Sequence, residues 1–272
     1  MMTTSTQWQL ANEAAERYQN ILTPAILGPF AEALVDFAAL QDGENVVDVG
    51  CGTGAAARYA AEAVGVAGRV MGVDINTSML AVARSLPAVH GAPIAWREAS
   101  ITHLPFDDNS VDVVLCAQTL QFIPEKVIGL AEMRRVVKPS GRVAVSLWCP
   151  LEESPYFYTL VETIARHIGP ETAVGLQSAF ALSDADEIYG LIEAAGFEQI
   201  EMTVRQLDLP LPHLTEFTPR HISATPMAAG FNRADPVIRQ QIVHEVTEQL
   251  SEYTINGRAA IPFKSHVIMG KR

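Results

Sequence analysis

The sequence predicts an α/β fold built around a seven-stranded sheet. Three observations carry this. From residue 46 onward, short β-rich runs alternate with helical stretches. Seven such runs follow one another before the C-terminus. The first opens into the glycine-rich turn of "VVDVGCGTGAAARYAA", residues 46–61. A βαβ rhythm implies a doubly wound, mostly parallel sheet with helices on both faces.

Taken in order, residues 8–22 and 25–40 read as two helices, the second with Ile26, Leu27, Phe30, Leu34 and Phe37 at helical spacing. The next strands are "VVDV" (46–49), "RVMGVD" (69–74), "IAWREA" (94–99), "VDVVLC" (111–116) and "RVAVSLW" (142–148). Helices at 54–64, 77–86 and 125–137 lie between them, the second ending near Pro87 and the third before the turn signal "KPSG". After Trp148 a helix over 155–168 precedes a loosely patterned segment. In "SDADEIYGLIEAAGF", Ser183 is expected to cap a helix and Gly196 to stop it. "QIEMTVRQLDL" (199–209) is strand. Pro-rich turns and one helix, striped by Ile238, Ile242, Val246, Leu250 and Tyr253, fill 210–256, and "AAIPFKSHVIMG" (259–270) returns to strand.

Composition bounds the function. At 49% hydrophobic and 18% charged, the 272-residue chain is globular. A net charge of -12 argues against a nucleic-acid surface, which needs clustered Lys and Arg. The apolar runs fall short of the roughly 18–20 residues that span a bilayer, so no membrane span is expected. The start shows no secretory signal. Cys51, Cys116 and Cys149 are too few and too scattered for a disulfide framework or a zinc site, and a cytoplasmic location is expected.

The glycine loop carries the chemistry. Strand, glycine-rich turn and helix place free N–H groups at a helix N-terminus, a seat for an anionic ligand group. The spacing Gly50-x-Gly52-x-Gly54 brings the third glycine one residue earlier than in dinucleotide-binding loops. Asp48 beside the loop would repel a pyrophosphate and suits a cationic amine. Asp74 ends the second strand twenty residues past Gly54, where a carboxylate can accept both hydroxyls of a ribose. The implied ligand has a ribose, an ammonium and a carboxylate, a description that S-adenosylmethionine fits.

The successive stretches "VVDVGCGTG", "VMGVDINTSML", "THLPFDDNSVDVVLC" and "MRRVVKPSGRVAVSLW" resemble the motifs of the class I S-adenosylmethionine-dependent methyltransferases, of the small-molecule type that includes the ubiquinone/menaquinone-biosynthesis enzymes. The resemblance is strong over 46–148, weaker over the last two strands, and slight over 150–185 and 210–256. It implies an antiparallel last strand. It also implies that Asp48, Gly50, Cys51 and Gly52 hold the methionine end, that Gly54 opens the helix, and that Asp74 binds the ribose. Ile75 and Met79 would pack on the adenine. Ser100 stands where the family commonly has an acid for the adenine amino group, and the backbone of Ile101 would read the adenine edge. Cys116, Ala117 and Gln118 would line the methyl-donor end, with Gln121 facing cofactor or substrate; the alternative is that Gln121 and Phe122 only cap and pack the next helix.

The expected organisation is an N-terminal helical lid (1–45) with Trp8 and Tyr18, a cofactor-binding core (46–209 and 257–272), and a cap (210–256) inserted over the acceptor site. Phe157, Phe180, Phe217, Met227 and Phe231 are candidates for an apolar wall around the acceptor. His167, His213, His221 and Tyr156 are candidate bases, with no residue singled out as catalytic and no metal site expected. The expected activity is methyl transfer to a small-molecule acceptor, aromatic or apolar, with a homodimer as the candidate assembly. Two alternatives stand beside it: a non-catalytic S-adenosylmethionine-binding module, and a nicotinamide-dependent oxidoreductase.

Overall fold

The computed structural model describes Leu10, residues 12–255 and residues 258–272. Trp8 lies outside the described residues. Chain order after the N-terminal helices is β1 Asn45–Val49, α3 Ala55–Val64, β2 Arg69–Asp74, α4 Thr77–Ser85, β3 Ile94–Glu98, β4 Val111–Ala117, α5 Lys126–Val136 and β5 Val137–Trp148. Then follow α6 Pro155–His167, α7 Pro170–Gln177, α8 Ala185–Ala194 and β6 Glu198–Leu211. The chain closes with α9 Leu214–Ser223, α10 Ala228–Arg233, α11 Pro236–Gln249, a two-residue β7 Thr254–Ile255 and β8 Arg258–Lys271.

The strands lie in the order β3-β2-β1-β4-β5-β8-β6, with β7 as a short hairpin partner of β8. β1 to β5 pair in parallel, and β8 runs antiparallel to both β5 and β6. This is the predicted sheet. Its central strands are apolar on both faces because helices cover both. Val46, Val113, Leu115 and Ala144 face α3 and the N-terminal helix. Val47, Val114, Cys116 and Val145 face α5 and α8. The edge strand β6 is largely exposed and carries Glu198, Glu201, Arg205 and Asp208, charges that discourage edge pairing. Arg142 on β5 clamps Glu44 just before β1, at 2.7 and 2.9 Å, and so fixes the start of the strand that delivers the glycine loop.

The N-terminal helices differ from expectation. They form one continuous run: α1 Asn12–Arg17, a π-helical stretch Tyr18–Leu27, and α2 Gly28–Ala38. Pro24 would break an α ladder, but the wider turn, with Gly28 N–H bonded back to Thr23 O, accommodates it. The run Glu13–Ala38 is therefore long and apolar enough to cross a bilayer by length and composition, contrary to the reading of the apolar runs. Half of its most apolar window is buried, with Phe30, Leu34 and Ala38 in the core against the sheet.

Other differences are local. Asp184, not Ser183, caps α8 by accepting from Glu187 N–H, while Gly196 follows the helix at φ 85° as expected. The loosely patterned segment forms α7. The 210–256 insertion holds three helices rather than one, and its stripe residues Ile242, Val246 and Leu250 are buried in the largest apolar cluster of the molecule.

Candidate functional site

The C-terminal ends of β1, β2 and β4 meet in one cleft of about 500 Å³. This is where parallel sheets with helices on both faces bind ligands, because the loops diverge there.

The loop is held by its neighbours. Gly50 and Cys51 N–H both donate to Val73 O, at 2.7 and 3.0 Å, and Gly54 N–H returns to Cys51 O at 2.8 Å. Gly54, at φ 88°, opens α3, and a Cβ there would meet the Trp96 ring at 2.2 Å, so packing alone demands this glycine. Gly52 is different. At φ 53° it has no protein atom within 4 Å of a would-be Cβ, so the loop leaves the cleft open there.

Asp48 is 1% exposed. Its Oδ2 accepts from Ala57 N–H at 2.9 Å, while Oδ1 has no partner. Burial pushes its pKa up to about 7; the Ala57 N–H opposes the shift and the charge of Asp74 adds to it. Asp74 accepts from Gly52 N–H and Asn76 N–H, each at 2.7 Å. Burial raises its pKa against three backbone N–H groups, from Asn76, Gly52 and Ile75. Asn76 caps α4 through Ser78 and Met79 N–H and donates to Leu10 O, tying the N-terminal segment to this end of the cleft. An orphaned buried carboxylate oxygen suits an ammonium, and the open face of Gly52 leaves room for a ligand on the backbone. The residues present thus fit S-adenosylmethionine.

The cleft brings together Asp48, Gly50, Cys51, Gly52 and Asp74 with Ile75, Met79, Ser100, Ile101, Ala117 and Gln118, as expected. Ser100 Oγ and Thr102 Oγ1 lie 2.8 Å apart. Two expected residues are not in the lining. Cys116 alternates to the opposite sheet face, where it is fully buried among Val114, Val145 and their neighbours. Gln121 is 5% exposed on a short turn, its amide without a partner, and its neighbour Phe122 reaches the cleft instead.

The expected wall and bases are also elsewhere. Phe157, Phe180, Phe217, Met227 and Phe231 form core beneath the insertion. His221 Nδ1 lies 2.8 Å from Tyr156 Oη within it, and burial depresses the imidazole pKa to about 3. His167 Nε2 lies 2.8 Å from Glu245 Oε2, and His213 immediately precedes α9. None of the four candidate bases reaches the cleft. The rest of the lining comes instead from Tyr18, Thr23 and Leu27 of the π-helical stretch, with Thr119, Phe122, Ile123 and Ser146. Ser146 had a signal, a polar residue inside the apolar run "RVAVSLW"; Thr23 and Leu27 had none. Burial raises the Tyr18 phenol pKa, and the charges of Asp74 and Asp48 raise it further, so it keeps its proton. Among the described residues no Lys, Arg or His lines the cleft, and its charged groups are Asp48, Asp74 and Glu125.

A methyltransferase-domain family model matches residues 47–145, the segment that builds this loop and both carboxylates. The ubiquinone/menaquinone biosynthesis C-methyltransferase UbiE of Cupriavidus pinatubonensis is 34% identical over 175 residues, covering 60% of this chain and 71% of that protein. The chain belongs to the class I S-adenosylmethionine-dependent methyltransferases. A second member, the arsenite methyltransferase of Halobacterium salinarum, is 33% identical over 182 residues, 66% of this chain and 42% of that one. The fold matches a solved phosphoethanolamine N-methyltransferase 2 of Haemonchus contortus with S-adenosylhomocysteine bound, at TM-score 0.61 and 18% identity, over 100% of this chain and 60% of that one. The protein is thus an S-adenosylmethionine-dependent methyltransferase, and a small-molecule acceptor is consistent with its family.

Proposed function

We propose that this methyltransferase acts on a small acceptor that is aromatic or otherwise apolar and carries no anionic group. The observation that carries this reading is the apolar part of the cleft lining, Leu27, Phe122, Ile123 and Pro124, with no cationic side chain among the described residues. A carboxylate or phosphate would enter beside Glu125 with no counter-charge. The name of the Cupriavidus relative, a C-methyltransferase of quinone biosynthesis, supports an aromatic acceptor. An arsenite acceptor draws less support. Soft metalloids seek thiolates, whereas Cys51, Cys116 and Cys149 are buried and only Cys51 borders the cleft.

In this reading Asp48 Oδ1 receives the cofactor's ammonium, the loop Gly50–Gly52 lies against its methionine end, and Asp74 accepts the ribose hydroxyls. Ile75 and Met79 flank the adenine, with Ser100 and Ile101 at its edge. S-adenosylmethionine supplies a sulfonium-activated methyl group, whose S–C electron pair stays on sulfur while a lone or π pair of the acceptor forms the new bond. The chain's share is orientation and exclusion of water. Tyr18 can donate a hydrogen bond but not abstract a proton, and the cleft holds no imidazole or amine among the described residues. The acceptor therefore brings its own nucleophilicity, as a neutral amine or an electron-rich ring carbon, and its proton leaves to solvent. The N-terminal run serves as the lid and 210–256 as its buttress, through Arg17 Nε donating to Ser223 O at 3.0 Å. The buried free thiols support a reducing, cytoplasmic setting.

Incubation with methyl-labelled cofactor and a panel of phenols, amines and carboxylates tests this. Label is expected on neutral or cationic aromatic acceptors. Transfer confined to carboxylates or phosphorylated compounds would overturn it.

A further inference from the structure

Where β4 leaves the sheet, Gln118 holds a left-handed backbone conformation (φ 49°), which side chains other than glycine rarely adopt. Its N–H donates to Ser146 O at 2.9 Å. Its side chain crosses β5 to reach β8, where Nε2 donates to Ser265 Oγ at 2.9 Å. The other contacts of that hydroxyl are carbonyls, Leu147 O at 2.9 Å and His266 O at 3.0 Å. The hydroxyl proton must go to a carbonyl, so only a lone pair faces Gln118. This fixes which end of the amide points where. Gln118 Oε1 is left over, buried and without a partner.

A second atom on the same wall is in the same state. Ser146 is 1% exposed, and its Oγ has no partner. Both residues line the cleft. Buried polar atoms are nearly always paired, and two orphans on residues that line one cleft point to groups supplied by the ligand.

We propose that Gln118, held by Ser265, is a positioning residue for the methyl acceptor: Oε1 receives an O–H or N–H of the acceptor, and Ser146 Oγ is the second polar contact. This rests on the reading of the acceptor as aromatic or apolar, and narrows it. The acceptor has an apolar body and a hydroxyl or amino group beside the reacting atom or as the reacting atom itself. Gln118 orients that group and takes no proton from it.

1-Naphthol and 1-methylnaphthalene share a ring system and differ in the donor. Titrated by fluorescence into the full chain saturated with S-adenosylhomocysteine, 1-naphthol should bind roughly tenfold more tightly, the value of one hydrogen bond to an otherwise unpaired group. The preference should vanish in Gln118→Met and shrink in Ser265→Ala, which frees the amide to turn. S-adenosylhomocysteine affinity should stay within about twofold in both variants, as an acceptor contact leaves cofactor binding intact. Equal binding of the two naphthalenes by the wild type overturns the proposal. So does a large loss of S-adenosylhomocysteine affinity in either variant, which would give the orphan oxygen to the cofactor. If neither naphthalene binds, the aromatic-acceptor reading itself fails and takes this assignment with it.

Discussion

Asp74 holds its own loop as well as the space beside it, since Gly52 and Asn76 N–H both end on its carboxylate. Removing it should loosen the loop and delete the ribose contacts together. Asp74→Ala is expected to weaken S-adenosylhomocysteine binding by about 2–4 kcal/mol, measured by equilibrium dialysis. Unchanged affinity would remove it from the site. Gly52→Val asks a sharper question, because no protein atom lies within 4 Å of the added Cβ. The variant should fold, with backbone strain at φ 53°, and lose cofactor binding altogether. Retained binding would make the loop a turn and nothing more. Asp48 supplies the pH dependence. Its pKa is about 7 folded against an ordinary 3.8, so the ligand-free folded state holds an extra proton between those values. Stability should therefore fall as pH rises through that window, and the slope should flatten in Asp48→Asn when denaturant midpoints are compared at about pH 5 and 7.5. Cofactor affinity should move the other way, rising toward about pH 7.5 as the carboxylate ionises to meet an ammonium. At this scale both acids and the glycines were legible, because a charged residue at a strand end has few structural excuses. Cys116 differs from expectation because the alternation of β4 turns it away from the cleft, and Gln121 because its neighbour Phe122, on the same short turn, reaches the cleft instead. Gln118's fixed amide depends on Ser265, 147 residues away, which no local pattern reveals.

At the scale of elements, short β-rich runs located all seven major strands, and turn residues bounded the helices between β1 and β4, while the expected turn "KPSG" lies inside β5. Periodicity failed where tertiary packing overrides it. Pro24 suggested a break between two helices, but the π-helical stretch absorbs it and carries Tyr18, Thr23 and Leu27 to the cleft. The helices of 210–256 carry few regular stripes, yet they bury Phe217, Ile222, Phe231, Ile242 and Val246. Their packing sets an expectation for hydrogen exchange. Residues 214–249 should exchange slowly with or without ligand, while 12–27 should exchange faster in the free protein and become protected by S-adenosylhomocysteine. If 12–27 is as protected as β1 and β4 from the start, and the ligand changes nothing, this run is no lid.

For the whole molecule, topology does the functional work. Parallel strands end on one side of the sheet, so residues 48, 74, 117 and 146, scattered over a third of the chain, converge on one cleft. The antiparallel β8 then lets Ser265 reach Gln118 from the far side. The sequence-level reading reached the cofactor because its motifs lie within the contiguous stretch 46–148. It did not reach Thr23, Leu27, Phe122, Ile123 and Ser146, which line the cleft from the first helical run, the turn after β4 and the interior of β5. Asp48 and Asp74 are proposed to hold S-adenosylmethionine in this cleft. Calorimetric titration of the full chain with S-adenosylhomocysteine tests it most directly. One site per chain, with proton release near pH 6.5 as Asp48 ionises, is the result predicted. No heat of binding at about millimolar ligand, a Kd weaker than roughly −4 kcal/mol of binding free energy allows, would contradict it.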